Sequence, residues 1–148
     1  MLKVNDALPE FSGLNQDGIE IKSVQFLGKK LVIFFYPKAN TPGCTAEACN
    51  LSENYLSLKN KGFEILGVSA DPIKNQKNFH DKFSFPYDLI ADENREICTL
   101  FGVWQLKKFM GREFMGIVRT TFLFDENGIC TEVIEKVNTK NHSKQILK

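Results

Sequence analysis

The chain is short of most features that would place it in a special class. It has no long apolar run: the longest, Leu31 to Tyr36, falls far below the roughly 20 residues needed to span a bilayer. Its opening, Met1-Leu2-Lys3-Val4-Asn5-Asp6, lacks the apolar stretch of a signal peptide. The expected location is the cytoplasm, with no membrane partner. Neither charge is in excess, with 19 Lys plus Arg against 18 Asp plus Glu. A nucleic-acid binder shows a basic excess, so nucleic acid is not an expected partner. There is no linker and no internal repeat, and the 5 Pro and 10 Gly are scattered, as turns within one domain over residues 1–148 require. Histidines number two and cysteines four, at 44, 49, 98 and 130. Gaps of 5, 49 and 32 positions do not suit the closely spaced pairs of structural zinc, so no metal or other cofactor is expected. In a reducing compartment the cysteines should not be structural disulfides. A catalytic thiol and inert buried residues are what remain.

What is present suits an ordinary globular domain of 148 residues, 43% hydrophobic and 25% charged. Thirteen Phe supply ample area for a core. Phe11 to Leu14 and Ile19 to Ile21 flank Asn15-Gln16-Asp17-Gly18, which predicts a small hairpin. Leu31 to Tyr36 reads as a strand buried on both faces, ended by Pro37. A polar loop, Lys38 to Gly43, leads into a helix from about Thr45 to Asn60, with Ala48, Leu51, Tyr55 and Leu58 on one face. Gly62 is a suitable stop. Phe63 to Val68 predicts a strand, and Asp71-Pro72 the next helix, with Asp71 as cap and Ile73, Phe79 and Phe83 turned to the core. A strand near Leu89 to Ala91, a helix from Asn94 to Phe101, and a hairpin of Thr120–Phe124 with Ile129–Ile134 around Asp125-Glu126-Asn127-Gly128 follow. The tail from Asn141 to Leu147 predicts a short, frayed helix. Strands alternating with helices give an α/β fold, a central mixed sheet flanked by helices with an N-terminal hairpin extension. The order is compatible with a thioredoxin-like layout.

Cys44 draws attention by its place between a buried strand and a helix. There its sulfur sits in the first helical turn, where unpaired N–H groups and the positive end of the helix favour a thiolate. Thiolate is the reactive form, and a second positive charge is needed beyond what a helix end supplies. Gly43 lets backbone approach a small anionic group, and Thr41 brings a hydroxyl three residues before the sulfur. A buried cysteine beside an ordinary turn is the competing reading of the same residues.

Pro37-x-x-x-Thr41-x-x-Cys44 resembles the active-site pattern of the peroxiredoxins, thiol peroxidases with a thioredoxin-like fold. Cys49, five residues on, resembles the bacterioferritin comigratory protein or peroxiredoxin Q subfamily. The resemblance runs nearly end to end, through Gly67-Val68-Ser69-Ala70-Asp71 and Gly102-Val103-Trp104 to Gly116-Ile117-Val118-Arg119-Thr120-Thr121-Phe122. It implies that Cys44 is the peroxidatic cysteine and Cys49 the resolving one, with Thr41 and Arg119 supporting and Pro37 shaping the pocket. The implied reaction reduces hydrogen peroxide and organic hydroperoxides through a sulfenic acid and then a Cys44–Cys49 disulfide. Thioredoxin or a similar dithiol protein is the implied reductant. Members of the subfamily are commonly monomers, and dimers occur.

Blander readings fit the remaining candidates. Cys98 and Cys130 read as packing residues, with Cys98 the alternative resolving cysteine because some members of the resembled family resolve with a more distant one. Trp104 reads as a packing or pocket-wall residue, and Lys107, Lys108 and Arg112 as a solvated loop. His80 and His142 read as bystanders. The alternative activity is a protein dithiol–disulfide oxidoreductase. Its usual pair has two intervening residues rather than four, and it has no role for Thr41 and Arg119.

Overall fold

A computed structural model describes all residues, 1–148. Leu31 to Phe35 are sealed from solvent in strand β3 (Lys30–Phe35), because it lies inside the sheet. Parallel β4 (Phe63–Ser69) flanks it on one side and antiparallel β8 (Thr120–Phe124) on the other. β4 carries parallel β5 (Asp88–Ala91), and β8 carries antiparallel β9 (Cys130–Ile134). The predicted N-terminal hairpin is β1 (Ser12–Asn15) with β2 (Glu20–Lys22), and β1 docks antiparallel on β5. The seven strands run in the order β2-β1-β5-β4-β3-β8-β9. Strand alternation then sorts the core. Leu31, Ile33 and Phe35 join Ile97, Cys98 and Phe101 of α4 (Glu96–Phe101) on one face. Val32, Phe34 and Tyr36 meet Ala48, Leu51, Leu58, Phe79 and Ile146 on the other. Gly67 makes this packing close: a Cβ there would lie 2.9 Å from Phe34.

Five details depart from the sequence expectations. The long helix is two, α1 (Pro42–Glu53) and α2 (Tyr55–Asn60), broken at Asn54, whose side-chain amide donates to the Asn50 carbonyl and competes with helical bonding. Asp71 does not cap α3 (Ile73–Phe83), whose N-cap is Pro72, because buried partners claim its carboxylate. Of the three apolar residues expected from α3, Phe79 is fully buried and Ile73 and Phe83 are half-buried, while polar Gln76 is buried. Lys107, Lys108 and Arg112 lie on a second hairpin, not a loop, formed by β6 (Trp104–Phe109) and β7 (Arg112–Ile117). Its two-residue turn, Met110-Gly111, has positive φ at both positions, the primed geometry that suits hairpin twist. Finally, the C-terminal helix α5 (His142–Leu147) is docked rather than frayed, with His142, Ser143 and Ile146 buried.

Candidate active site

β3 ends at Phe35, and Pro37 is half-buried where the chain turns into the loop. Asn40 takes a left-handed φ of 63°, which an asparagine tolerates. The loop is fixed from below, because the Ala39 N–H donates to the Asp71 carboxylate at 2.8 Å. Asp71 also accepts from the Ser69 hydroxyl at 2.6 Å. Pro42 then opens α1, where its missing N–H costs nothing. Thr41 is the N-cap residue, yet its hydroxyl donates back to the Lys38 carbonyl at 2.7 Å and caps nothing. The N–H groups of the first turn therefore have no side-chain cap. Cys44, buried, is the third residue of that turn.

Arg119 arrives from the link between β7 and β8, 75 residues downstream. Its Nη2 lies 3.3 Å from the Cys44 sulfur, and its Nη1 donates to Glu47 Oε1 at 2.7 Å. Gly43 matters here in a way the sequence reading did not anticipate: a Cβ at this position would lie 3.2 Å from Nη2, so the glycine makes room for the guanidinium. Glu47 follows Cys44 by three residues and so shares its face of α1. Burial works against the Arg119 charge, but Cys44 and Glu47 hold its pKa above the ordinary value. Burial pushes Glu47 up to about 7, against the lowering influence of Arg119.

Cys49 lies in the same unbroken helix, half-buried. Burial and then the Glu53 charge raise its thiol pKa. All four cysteines are free thiols. Cys98 is buried beside Asp92, and desolvation and that charge drive its pKa far upward. Cys130 is raised mainly by burial. Both are buried thiols with raised pKa, so, if the chain has the peroxidase activity that the resemblance implies, Cys98→Ser and Cys130→Ser should keep turnover within about threefold, with modest packing costs. A large loss in Cys98→Ser, with Cys49→Ser still active, would give Cys98 the resolving role that the resemblance implies for Cys49. Trp104 packs against the core edge with the Arg95 guanidinium 4.9 Å from its ring. His80 is half-buried, and its Nε2 lies 3.1 Å from the Tyr87 carbonyl.

Three buried polar residues at the site escape a reading of the sequence: Glu47, Asp71 and His142. Glu47 left a signal there in its helical spacing from Cys44, and Asp71 in the motif Gly67-Val68-Ser69-Ala70-Asp71. His142 is no bystander. Its Nε2 lies 2.7 Å from Thr121 Oγ1 and 3.5 Å from Glu47 Oε2, with all of these groups inside.

Comparison with known proteins shows the family. Residues 4–133 match the AhpC/TSA family. Peroxiredoxin Bcp of Escherichia coli K12 is 40% identical over 146 residues, covering 99% of this chain and 94% of that one. Peroxiredoxin Bcp of Bacillus subtilis is 35% identical over 146 residues, covering 99% and 93%. The bacterioferritin comigratory protein of Xanthomonas campestris, described for its alkyl peroxide reduction activity, superposes with a TM-score of 0.88 at 32% identity, over 96% and 95% of the two chains. PrxQ of Xylella fastidiosa gives 0.93 at 25% identity, over 99% and 94%. The thioredoxin-like layout read from the strand order is the fold these relatives share. The chain belongs to the AhpC/TSA family, as a peroxiredoxin of the Bcp and PrxQ kind.

Proposed function

We propose that the chain acts as one domain over residues 1–148, a thiol peroxidase in which Cys44 attacks and Cys49 resolves. The carrying observation is the Arg119 fork, one nitrogen on the Cys44 sulfur and the other on Glu47. The thiolate attacks the terminal oxygen of a hydroperoxide in line with the O–O bond. That bond breaks, the sulfur becomes a sulfenic acid, and the leaving oxygen takes a proton to depart as water or alcohol. The planar guanidinium stabilises the thiolate and donates to the peroxide oxygens. The free N–H groups of the first helical turn and the lone pairs of Thr41 Oγ1 hold the peroxide in attack geometry. Pro37 walls the pocket, and Gly43 admits the guanidinium. Alkyl peroxide reduction by the Xanthomonas relative supports organic hydroperoxides as substrates beside hydrogen peroxide. Cys49 then condenses with the sulfenic acid, expelling water, and a thioredoxin-type dithiol reduces the disulfide. No helix is long and apolar enough to cross a membrane. The reading retains the cytoplasm as location and a monomer as the working unit.

Resolution requires α1 to unwind. In an intact helix, residues five apart are about 8–9 Å apart between Cα atoms and point about 140° apart. A disulfide needs roughly 4.4–6.8 Å. Unwinding must release Glu47 from Arg119, at about 1.5–3 kcal/mol for a bond between charged groups. It also strains the bond from the Tyr87 hydroxyl to the Ala48 carbonyl. Asn50 limits how far it spreads, because its side chain accepts from the Ser143 N–H and donates to the Lys140 carbonyl at α5.

One experiment tests the reaction and this motion together. Titrating the reduced protein with hydroperoxide should consume two thiols, Cys44 and Cys49, per peroxide. The oxidised product should show faster amide exchange from Cys44 to about Leu51. A dithiol–disulfide oxidoreductase would leave the peroxide unspent. Full exchange protection after quantitative disulfide formation would remove the unwinding step.

A further inference from the structure

We propose that His142 is a positioning residue for peroxide reduction, holding Glu47, and through it Arg119, by a proton shared between Glu47 Oε2 and His142 Nε2. The proposal rests on reading Cys44 as the attacking thiolate.

The tautomer of His142 follows from its neighbours. Gln145 has its orientation fixed by backbone, with Nε2 donating to the Lys136 carbonyl and Oε1 accepting from the Asn138 N–H. His142 Nδ1 faces that same Oε1 at 2.7 Å, so Nδ1 must carry a hydrogen and donate. A neutral His142 is then bare at Nε2, whose single lone pair accepts either from the Thr121 hydroxyl at 2.7 Å or from a protonated Glu47 Oε2, the Thr121 hydroxyl turning away in the second case. The bare nitrogen faces Glu47 Oε2 at 3.5 Å. That oxygen is the one buried side-chain polar atom without a hydrogen-bond partner. With Glu47 ionised and His142 neutral, two acceptors confront each other in the interior, a costly arrangement. One proton between them removes the conflict.

Charge counting says when that proton is needed. With Cys44 as a thiol, Arg119 and Glu47 balance. Once Cys44 ionises, the cation faces two anions and the buried cluster carries −1. A proton on the Glu47–His142 pair restores neutrality, so the proton lost by Cys44 is matched by one taken up at Glu47 Oε2. The titratable or charged groups facing Glu47 are Cys44 on its own helix, Arg119 from the β7–β8 link and His142 from α5. The buried Tyr87 phenol lies in range, its hydroxyl committed to Ala48. Burial raises Glu47 to about 7 and lowers His142 below its usual value. Both shifts put the proton on Glu47, pointing at Nε2.

The test combines infrared spectra with single-turnover kinetics. At mildly alkaline pH, the reduced native protein should show the carbonyl stretch of a buried protonated carboxyl. Glu47→Gln should remove it, and Cys44→Ser, which forms no thiolate, should convert it to carboxylate absorption. His142→Phe fills the same space without a lone pair and should slow Cys44 oxidation about tenfold. In His142→Gln the amide oxygen can accept the proton, and the rate should recover to within about threefold of native. Absence of the band from the native protein, or its persistence in Cys44→Ser, would overturn the proposal. So would native rates in both His142 variants, or equal losses in both with the band intact. The Cys44→Ser infrared comparison stands even if neither His142 variant folds. Peroxide turnover by Cys44→Ser would instead overturn the reading beneath it.

Discussion

Cys44→Ser should lose peroxide reduction on the order of a thousandfold or more, the scale expected when a nucleophile is deleted. A serine hydroxyl stays protonated near neutral pH and cannot replace a thiolate. None of the other sulfurs can take its place. Cys49 lies well down the helix with its thiol pKa raised by burial and Glu53. Cys98 and Cys130 are sealed in the core. The variant should fold, because the change is one atom at a site already holding polar groups. Steady-state turnover with a thioredoxin-type reductant, together with single-turnover peroxide loss, reads the effect. Retention of more than a few per cent of turnover would move the reaction to another residue.

Arg119→Met should slow single-turnover peroxide reduction about a hundredfold, comparable to the loss of one preorganised donor at a reacting oxygen. Two effects combine in that number. The thiolate loses the cation 3.3 Å away, which thiolate absorbance against pH would register. Glu47 loses the one influence that lowers its pKa, so its carboxyl should remain protonated to still higher pH. Arg119→Lys separates charge from shape. A single ammonium cannot reach both the Cys44 sulfur and Glu47 Oε1 as the fork does, so lysine should be impaired, by less than methionine. If methionine changed neither absorbance nor rate, Arg119 would have no part in the reaction.

Much of this was legible in the sequence, for identifiable reasons. Strand β3 announces itself because burial on both faces demands a continuous apolar run. The β1–β2 and β8–β9 hairpins carry Asp-Gly and Asn-Gly turns whose chemistry is local. The β6–β7 hairpin hides because methionine stands where asparagine would have signalled the same turn. Cys44 is visible by its place at a helix start, and Cys49 by its spacing. Thr41 is marked by its hydroxyl three residues before the sulfur, whereas Arg119 becomes a candidate only through the motif pattern. What stays invisible is polar burial. Asp71 reads as a helix cap until Ala39 and Ser69 claim it. His142 sits among Asn141, Ser143 and Lys144, and only the docking of α5 on α1 reveals that it faces Glu47. Such residues depend on partners far away in the chain, and no local pattern encodes them.

The sheet order also has a consequence during synthesis. β3 finds one neighbour soon, in β4, but the other, β8, is among the last strands made. A ribosome that has released Cys44 has still to add the stretch leading to Arg119, 75 residues further on. At about 5–20 residues per second that takes roughly 4–15 s. Through that interval the nascent chain carries a thiol with no guanidinium beside it. On the proposed mechanism, the thiol gains its guanidinium only when β8 has joined the sheet.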